Sequence, residues 1–121
     1  MAKRREKNPT LRILLGAAVA LGPGKVALLE AVDRTGSITG AAREMGMSYR
    51  RAWKLIDAMN SDFISPLVVT NAGGSGGGGA QVTEAGFDAL TRYRSMEDKA
   101  GQAVRQEISD FATLLNPSPK N

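Results

Sequence analysis

Ser37-Ile38-Thr39-Gly40-Ala41-Ala42-Arg43-Glu44-Met45-Gly46-Met47-Ser48-Tyr49-Arg50-Arg51-Ala52-Trp53-Lys54 is the stretch on which the fold turns. Ser37 can cap a short helix ending at Met45, because its hydroxyl can accept from an orphan amide of the first turn. Ile38, Ala41, Ala42 and Met45 then share one helical face. Gly46-Met47 reads as a tight turn, and Ser48 can cap the next helix, which the pattern carries to about Asn60. Two helices meeting across so short a turn need a small residue where they touch and a residue tolerant of positive φ. Ala42 and Gly46, four apart, supply both. Ala41, Met45, Met47, Ala52 and Leu55 provide apolar positions around them. Any helix-glycine-helix hairpin shares these features, so the helix after the turn has to sharpen the reading.

At about 100° per residue, Leu55, Met59, Ala52, Ile56, Tyr49 and Trp53 fall on one continuous arc. Arg50, Arg51, Lys54, Asp57 and Ala58 fall on the complementary arc. One face is therefore expected to hold the helix to its domain while three cations point outward near its N-terminus. A recognition helix of a helix-turn-helix enters the major groove in this way, its first turns meeting base edges and phosphates. Arginine pairs with guanine through two hydrogen bonds, Lys and Ser reach phosphate, and Tyr49 can touch backbone or a thymine methyl. The same pattern also suits an ordinary amphipathic helix with a solvated basic face.

Working outward, Lys25 to Arg34 is helical in pattern, with Leu28, Leu29 and Val32 on one face. Gly36 stands where a C-cap glycine belongs. Gly22-Pro23-Gly24 breaks the chain before it. Leu11–Leu15 and Ala17–Leu21 read as a strand pair, and residues 1–10 as a disordered basic arm. On the other side, Leu67–Thr70 and Ala80–Thr83 read as matched strands. Six of the seven residues from Gly73 to Gly79 are Gly. By composition this tract is a flexible linker, but its flanks make it the tip of a hairpin: a wing directly after a recognition helix. Gly76, Gly77 and Gly78 at that tip would let backbone amides approach a phosphate. No GxxxxGK[ST] follows a strand, so a nucleotide-binding loop is not expected.

From Glu84 to Leu115 the pattern is one long helix, ended by Asn116-Pro117. Its apolar positions run Phe87, Leu90, Tyr93, Met96, Ala100, Val104, Ile108, Phe111 and Leu115. A helix of that length spans about 46 Å, more than a small domain can cover. The later positions, Met96, Ala100, Val104, Ile108, Phe111 and Leu115, are expected to pack against a second copy in a homodimer. The expected fold class is mainly α with small β: a winged helix-turn-helix over 11–84, a dimerisation helix over 85–116, and a tail over 117–121.

The composition narrows the function classes. The chain has 121 residues, 42% apolar and 23% charged, with no Cys and no His. Disulfides, Cys/His zinc sites, thiol nucleophiles and a His general base are thereby excluded. Asp57, Asp62, Glu84 and Asp88 show no paired spacing on an apolar background, so an enzyme is not expected, nor a cofactor or metal. Residues 1–60 hold eleven Lys/Arg against five Asp/Glu, a balance of +6, while 61–121 hold five against seven, a balance of −2. That asymmetry suits an anionic partner for the first half, nucleic acid or a membrane surface. Lys3, Arg4, Arg5 and Lys7 before Ile13–Leu21 have the outline of a signal peptide. Arg12 abuts the apolar run, Glu6 interrupts the basic one, and nine residues are too few to span a bilayer. A cytoplasmic protein without membrane association is expected.

Several of these runs together are familiar. Leu21-Gly22-Pro23-Gly24-Lys25, Thr35-Gly36-Ser37-Ile38, Ala41-Ala42, Gly46-Met47-Ser48-Tyr49-Arg50, Ala52-Trp53, Met59-Asn60, Pro66-Leu67-Val68 and the glycine tract resemble the N-terminal domain of ModE-type molybdate-responsive transcriptional regulators. Gly36-Ser37-Ile38 to Ala42 and Thr83-Glu84-Ala85-Gly86 resemble, more distantly, the winged helix of LysR-type regulators. The resemblance implies a bacterial, dimeric regulator that binds double-stranded DNA at an inverted-repeat operator. Ser37, Ser48, Tyr49, Arg50, Arg51, Lys54 and the glycines of the wing are the expected DNA contacts. Full-length ModE-type regulators continue into a molybdate-binding domain, whereas this sequence ends at Asn121, so molybdate is not an expected ligand. The alternative is a protein-protein interaction module using the same scaffold or its long helix.

Overall fold

The computed structural model describes residues 20–71 and 78–117. The basic arm, most of the strand pair expected over Leu11–Leu21, and Gly76 and Gly77 lie outside these residues. Ala20 and Leu21 are described and belong to no strand. The chain divides into two compact units, the first ending at Tyr93 and the second resuming at Arg94.

The first unit begins with α1, Pro23–Thr35. Pro23 stands at the first helical position, where its missing N–H costs nothing and its fixed φ suits a helix. Val26, Leu28, Leu29, Ala31 and Val32 are buried. Gly36 ends the helix at φ 75°, in the left-handed region that glycine enters without steric cost, and donates its N–H to Val32 O at 2.8 Å. Ser37 Oγ then accepts from Gly40 N at 2.8 Å and opens α2, Ile38–Met45. Gly46, at φ 71°, closes it. Ser48 Oγ accepts from Arg51 N at 3.0 Å and opens α3, Tyr49–Asp62.

The largest fully buried side chains are Leu28, Leu29, Ile56, Met59, Leu67, Val26 and Val32, drawn from α1, α3 and the segment after it. Ala41 and Ala42 let α2 lie close on this core, both buried at the cost of little volume. Two strands follow, β1 at Val68–Asn71 and β2 at Gly79–Val82, paired antiparallel from Val68↔Val82 to Asn71↔Gly79. Each is displaced by one residue from the span its sequence suggests. Leu67 N is already committed to Asn60, and Thr83 turns into the next helix.

Asn60 clamps the hairpin to α3. Its Oδ1 accepts from Leu67 N at 2.8 Å and Val68 N at 3.2 Å, and its Nδ2 donates to Val68 O at 3.0 Å. Ala80 N donates to Gly36 O at 2.9 Å, tying β2 to the corner between α1 and α2. Position and orientation of the hairpin thus rest on hydrogen bonds to Asn60 of α3 and to the α1–α2 corner at Gly36.

Thr83 joins the hairpin to α4, Glu84–Ala103. Its hydroxyl donates to Pro66 O at 2.7 Å and accepts from Gly86 N at 3.0 Å, satisfying an amide of the first helical turn. At Gly86 a side chain has no room: an added Cβ would lie 2.6 Å from Val82 Cγ1 and closer still to the Leu67 carbonyl oxygen. Leu90 is buried, and Ala85, Ala89 and Tyr93 pack partly against the core. Phe87, placed on the inward stripe by spacing, is instead exposed. The close approach at Gly86 settles which face of α4 turns inward, and Phe87 lies beside that face rather than on it.

The second unit continues α4 from Arg94 and adds α5, Arg105–Ala112. The single helix expected over Glu84–Leu115 is interrupted at Val104, whose φ −110° and ψ 15° leave the helical region. Gly101 weakens the turn before the break by roughly 1 kcal/mol relative to Ala, and Val104 is β-branched, so local propensity is lowest here. Arg94 Nη1 pairs with Glu97 Oε1 at 2.7 Å. No helix among the described residues is long and apolar enough to cross a membrane.

Candidate nucleic-acid interface

The outer face of α3 follows from how the inner face is held. Ala52, Ile56 and Met59 are buried and Leu55 is half-buried. Arg50, Arg51 and Lys54 are therefore turned to solvent, and all three are exposed. Together with Ser48 and Leu55 they line one shallow hollow at the start of the helix. The ion pairs Arg34–Glu44, Arg92–Asp88 and Arg94–Glu97 involve none of these cations. Arg34 is a separate case: both its Nε and its Nη2 donate to Glu44 at 3.1 Å, and that hydrogen bonding raises its already high pKa.

The apolar arc read from the sequence is too wide. Tyr49 is 54% exposed and Trp53 41% exposed, so neither is part of the packing face. A core filled by Leu28, Leu29, Ile56 and Met59 closes over a narrower strip of α3 than periodicity suggests. The two aromatics instead stand on a flank of the helix, where they wall a cleft of about 330 Å³ with Ser37, Ile38, Thr39, Thr70, Gly78 and Gly79.

Of the expected site residues, Ser48, Arg50, Arg51 and Lys54 are thus brought together on one face, while Ser37, Tyr49 and Gly78 meet in the neighbouring cleft. Ser37 is half-buried and its oxygen is engaged as a cap, which leaves its hydroxyl hydrogen as the group it can offer a ligand. Gly78 sits where an added Cβ would come 2.9 Å from Asn71 O, so its backbone approach is one only glycine accommodates. Thr39 and Thr70 are not among the expected site residues, and Trp53 is expected from the sequence on the packing arc rather than in a site. The spacing of four between Tyr49 and Trp53 was the available signal, since it stacks the two rings on one strip of a helix.

The remaining expected positions lie beyond Tyr93. Met96 is exposed, Ala100 and Val104 are half-buried, and Ile108, Phe111 and Leu115 are exposed, with Leu114 exposed beside them. Among the described residues no cluster of His, Cys, Asp or Glu could hold a metal ion.

Relatives of this sequence carry the same region. The molybdenum-pterin-binding protein MopB of Rhodobacter capsulatus is 42% identical over 107 residues, 88% of this chain and 38% of that protein. The molybdenum transport protein ModE of Azotobacter vinelandii is 46% identical over 78 residues, 64% of this chain and 29% of that protein. The DNA-binding transcriptional dual regulator ModE of Escherichia coli (strain K12) is 41% identical over 94 residues, 78% of this chain and 36% of that protein. The chain thus spans well under half the length of these relatives. Residues 24–87 match the family described as "Bacterial regulatory helix-turn-helix protein, lysR family". That match runs from the start of α1 through α2, α3 and the hairpin into α4, and by it the chain belongs to the lysR family of bacterial regulatory helix-turn-helix proteins.

Proposed function

We propose that this protein is a DNA-binding transcriptional regulator that lays α3 in the major groove of double-stranded DNA. The observation that carries this reading is the exposed grouping of Ser48, Arg50, Arg51 and Lys54 on the first turns of a helix whose opposite face buries Ala52, Ile56 and Met59. Arg50 and Arg51 read base edges, Lys54 and Ser48 hold phosphate, and the wing lies along the adjacent backbone with Gly78, and beyond it Gly76 and Gly77, close to the sugar-phosphate chain. Ser37 offers its hydroxyl hydrogen to a neighbouring phosphate.

The protein acts as a homodimer. Met96, Ala100, Val104, Ile108, Phe111 and Leu115 supply the apolar positions that a second copy covers. A twofold pair of recognition helices fits an operator of inverted repeats whose half-sites are about one helical turn, or a multiple of it, apart.

A mobility-shift assay at two salt concentrations tests the reading. Replacing Arg50 or Arg51 by Ala should cost on the order of 1–3 kcal/mol of specific binding. Replacing Lys54 should weaken all duplexes alike and reduce the salt slope by about one. If the triple Ala variant, folded by circular dichroism, binds as the wild type does, α3 is not the DNA-reading helix. An interaction module would instead bind duplex DNA weakly and without sequence preference.

A further inference from the structure

Trp53 occupies a place on α3 that neither packing nor phosphate binding explains. The core uses Ala52, Ile56 and Met59 of this helix, all buried, and leaves Trp53 41% exposed beside Tyr49. Exposing a large ring costs solvation free energy, so an exposed aromatic pair at the mouth of a cleft marks a contact surface. Viewed down the helix, Trp53 lies about 60° from Arg50 and about 100° from Lys54, on the flank that faces the hairpin. A DNA duplex seated on Arg50 and Lys54 therefore brings its major-groove edges against this flank. The C5-methyl of thymine is the apolar group that the major groove presents among its donors and acceptors.

We infer that Trp53, with Tyr49 beside it, is a specificity-determining residue that receives a thymine methyl in the cleft between α3 and the hairpin. The inference rests on the proposed DNA reading and adds what that flank selects. Arg50 and Arg51 discriminate guanine, and the aromatic flank discriminates thymine from cytosine or uracil at a neighbouring position.

Trp53 is the single tryptophan of the chain, so tryptophan emission reports the surroundings of this side chain. The probe is the duplex that the full chain enriches from a randomised pool, prepared with thymine and again with deoxyuridine replacing each thymine in turn. At one position the wild type should lose about four-fold in affinity when the methyl is removed, the worth of one buried methyl. Trp53→Ala should bind both versions of that position equally, while Trp53→Phe keeps part of the discrimination. In the wild type, Trp53 emission should change on binding and become less accessible to acrylamide, more so with thymine than with deoxyuridine.

Equal binding of thymine and deoxyuridine duplexes by the wild type overturns the inference, as does an undiminished methyl effect in Trp53→Ala. Should that variant fail to fold, wild-type emission unmoved by the enriched duplex overturns it equally. A pool that yields no enriched sequence sinks the DNA reading itself. An enriched sequence without a methyl effect sinks only the role of Trp53.

Discussion

α2 and α5 are both eight residues long, and both are amphipathic, yet they are held in opposite ways. α2 is closed at one end by the Ser37 hydroxyl and at the other by the left-handed Gly46, and it buries Ile38, Ala41 and Ala42. α5 opens on Val104 without a side-chain cap and buries none of its residues. Isolated helices of this length are marginal in water, because nucleation costs more than a few hydrogen bonds return. α2 is therefore a product of its caps and its neighbours. α5 leaves Ile108 partly and Phe111 largely open to solvent among the described residues. An amphipathic pattern reports what a helix needs to bury, and the difference between these two lies in where the burying surface comes from.

The largest effect that would break this comparison concerns burial. Leu28→Ala should lower stability by about 2–5 kcal/mol in a urea titration, because it leaves a cavity in a closed core. Phe111→Ala, measured where the protein is monomeric, should change stability by no more than about 0.5 kcal/mol. The same change should lower the midpoint in a concentration-dependent way once the second copy is bound. Equilibrium sedimentation of Phe111→Asp with Leu115→Asp checks the source of the cover: the wild type should run as a dimer and the variant near the 12.8 kDa monomer. A wild type that sediments as a monomer would leave α5 without the partner proposed for it.

Close approach comes next. Gly86→Ala should destabilise the protein by about 1–3 kcal/mol, since the Leu67 backbone has to move to admit a methyl group.

The caps rank third. Ser37→Ala or Ser48→Ala should each cost about 1 kcal/mol, and the glycine variants only a few tenths. For Ser48 the glycine variant therefore separates capping from phosphate contact: little stability is lost, so any fall in DNA affinity reports the hydroxyl.

The smallest effect belongs to Arg34–Glu44, an exposed pair at 3.1 Å. Arg34→Ala should shift the thermal midpoint less than either cap variant does, and the shift should shrink further with added salt. The hydrogen bonds Arg34 donates to the Glu44 carboxylate raise the Arg34 pKa, so the contribution is present below the guanidinium's unfolded pKa and is lost only as pH rises through the folded value. Between about pH 6 and 9 a fall in the stability difference between wild type and Arg34→Ala would contradict this sign.

Much of the site is legible in the sequence because its rules are local. Ser37 and Ser48 cap the helices they precede, and Gly36 and Gly46 take the left-handed conformation their positions suggest. The cationic side of α3 follows from a period of 3.6 residues. Tyr49 and Trp53 were misplaced by the same rule, since periodicity gives the direction of a side chain but not the width of the surface that covers it. Asn60 is a different kind of omission. Its clamp on Leu67 and Val68 joins residues seven and eight apart across a chain reversal, a relation that no helical or strand period encodes.

What the sequence determined by itself was the order of elements from α1 to the hairpin, the caps at Gly36, Ser37, Gly46 and Ser48, the positive face of α3 and the chemistry that is impossible without His or Cys, because each depends on a residue and its near neighbours. Tertiary structure decided which face of α4 turns inward, that Phe87 and Trp53 remain exposed, and that the hairpin is fastened through Ala80 to Gly36 and through Asn60 to Val68. Those outcomes depend on how much volume the core has left once Leu28, Leu29, Ile56 and Met59 fill it, and on backbone groups brought within hydrogen-bond reach only after the helices dock.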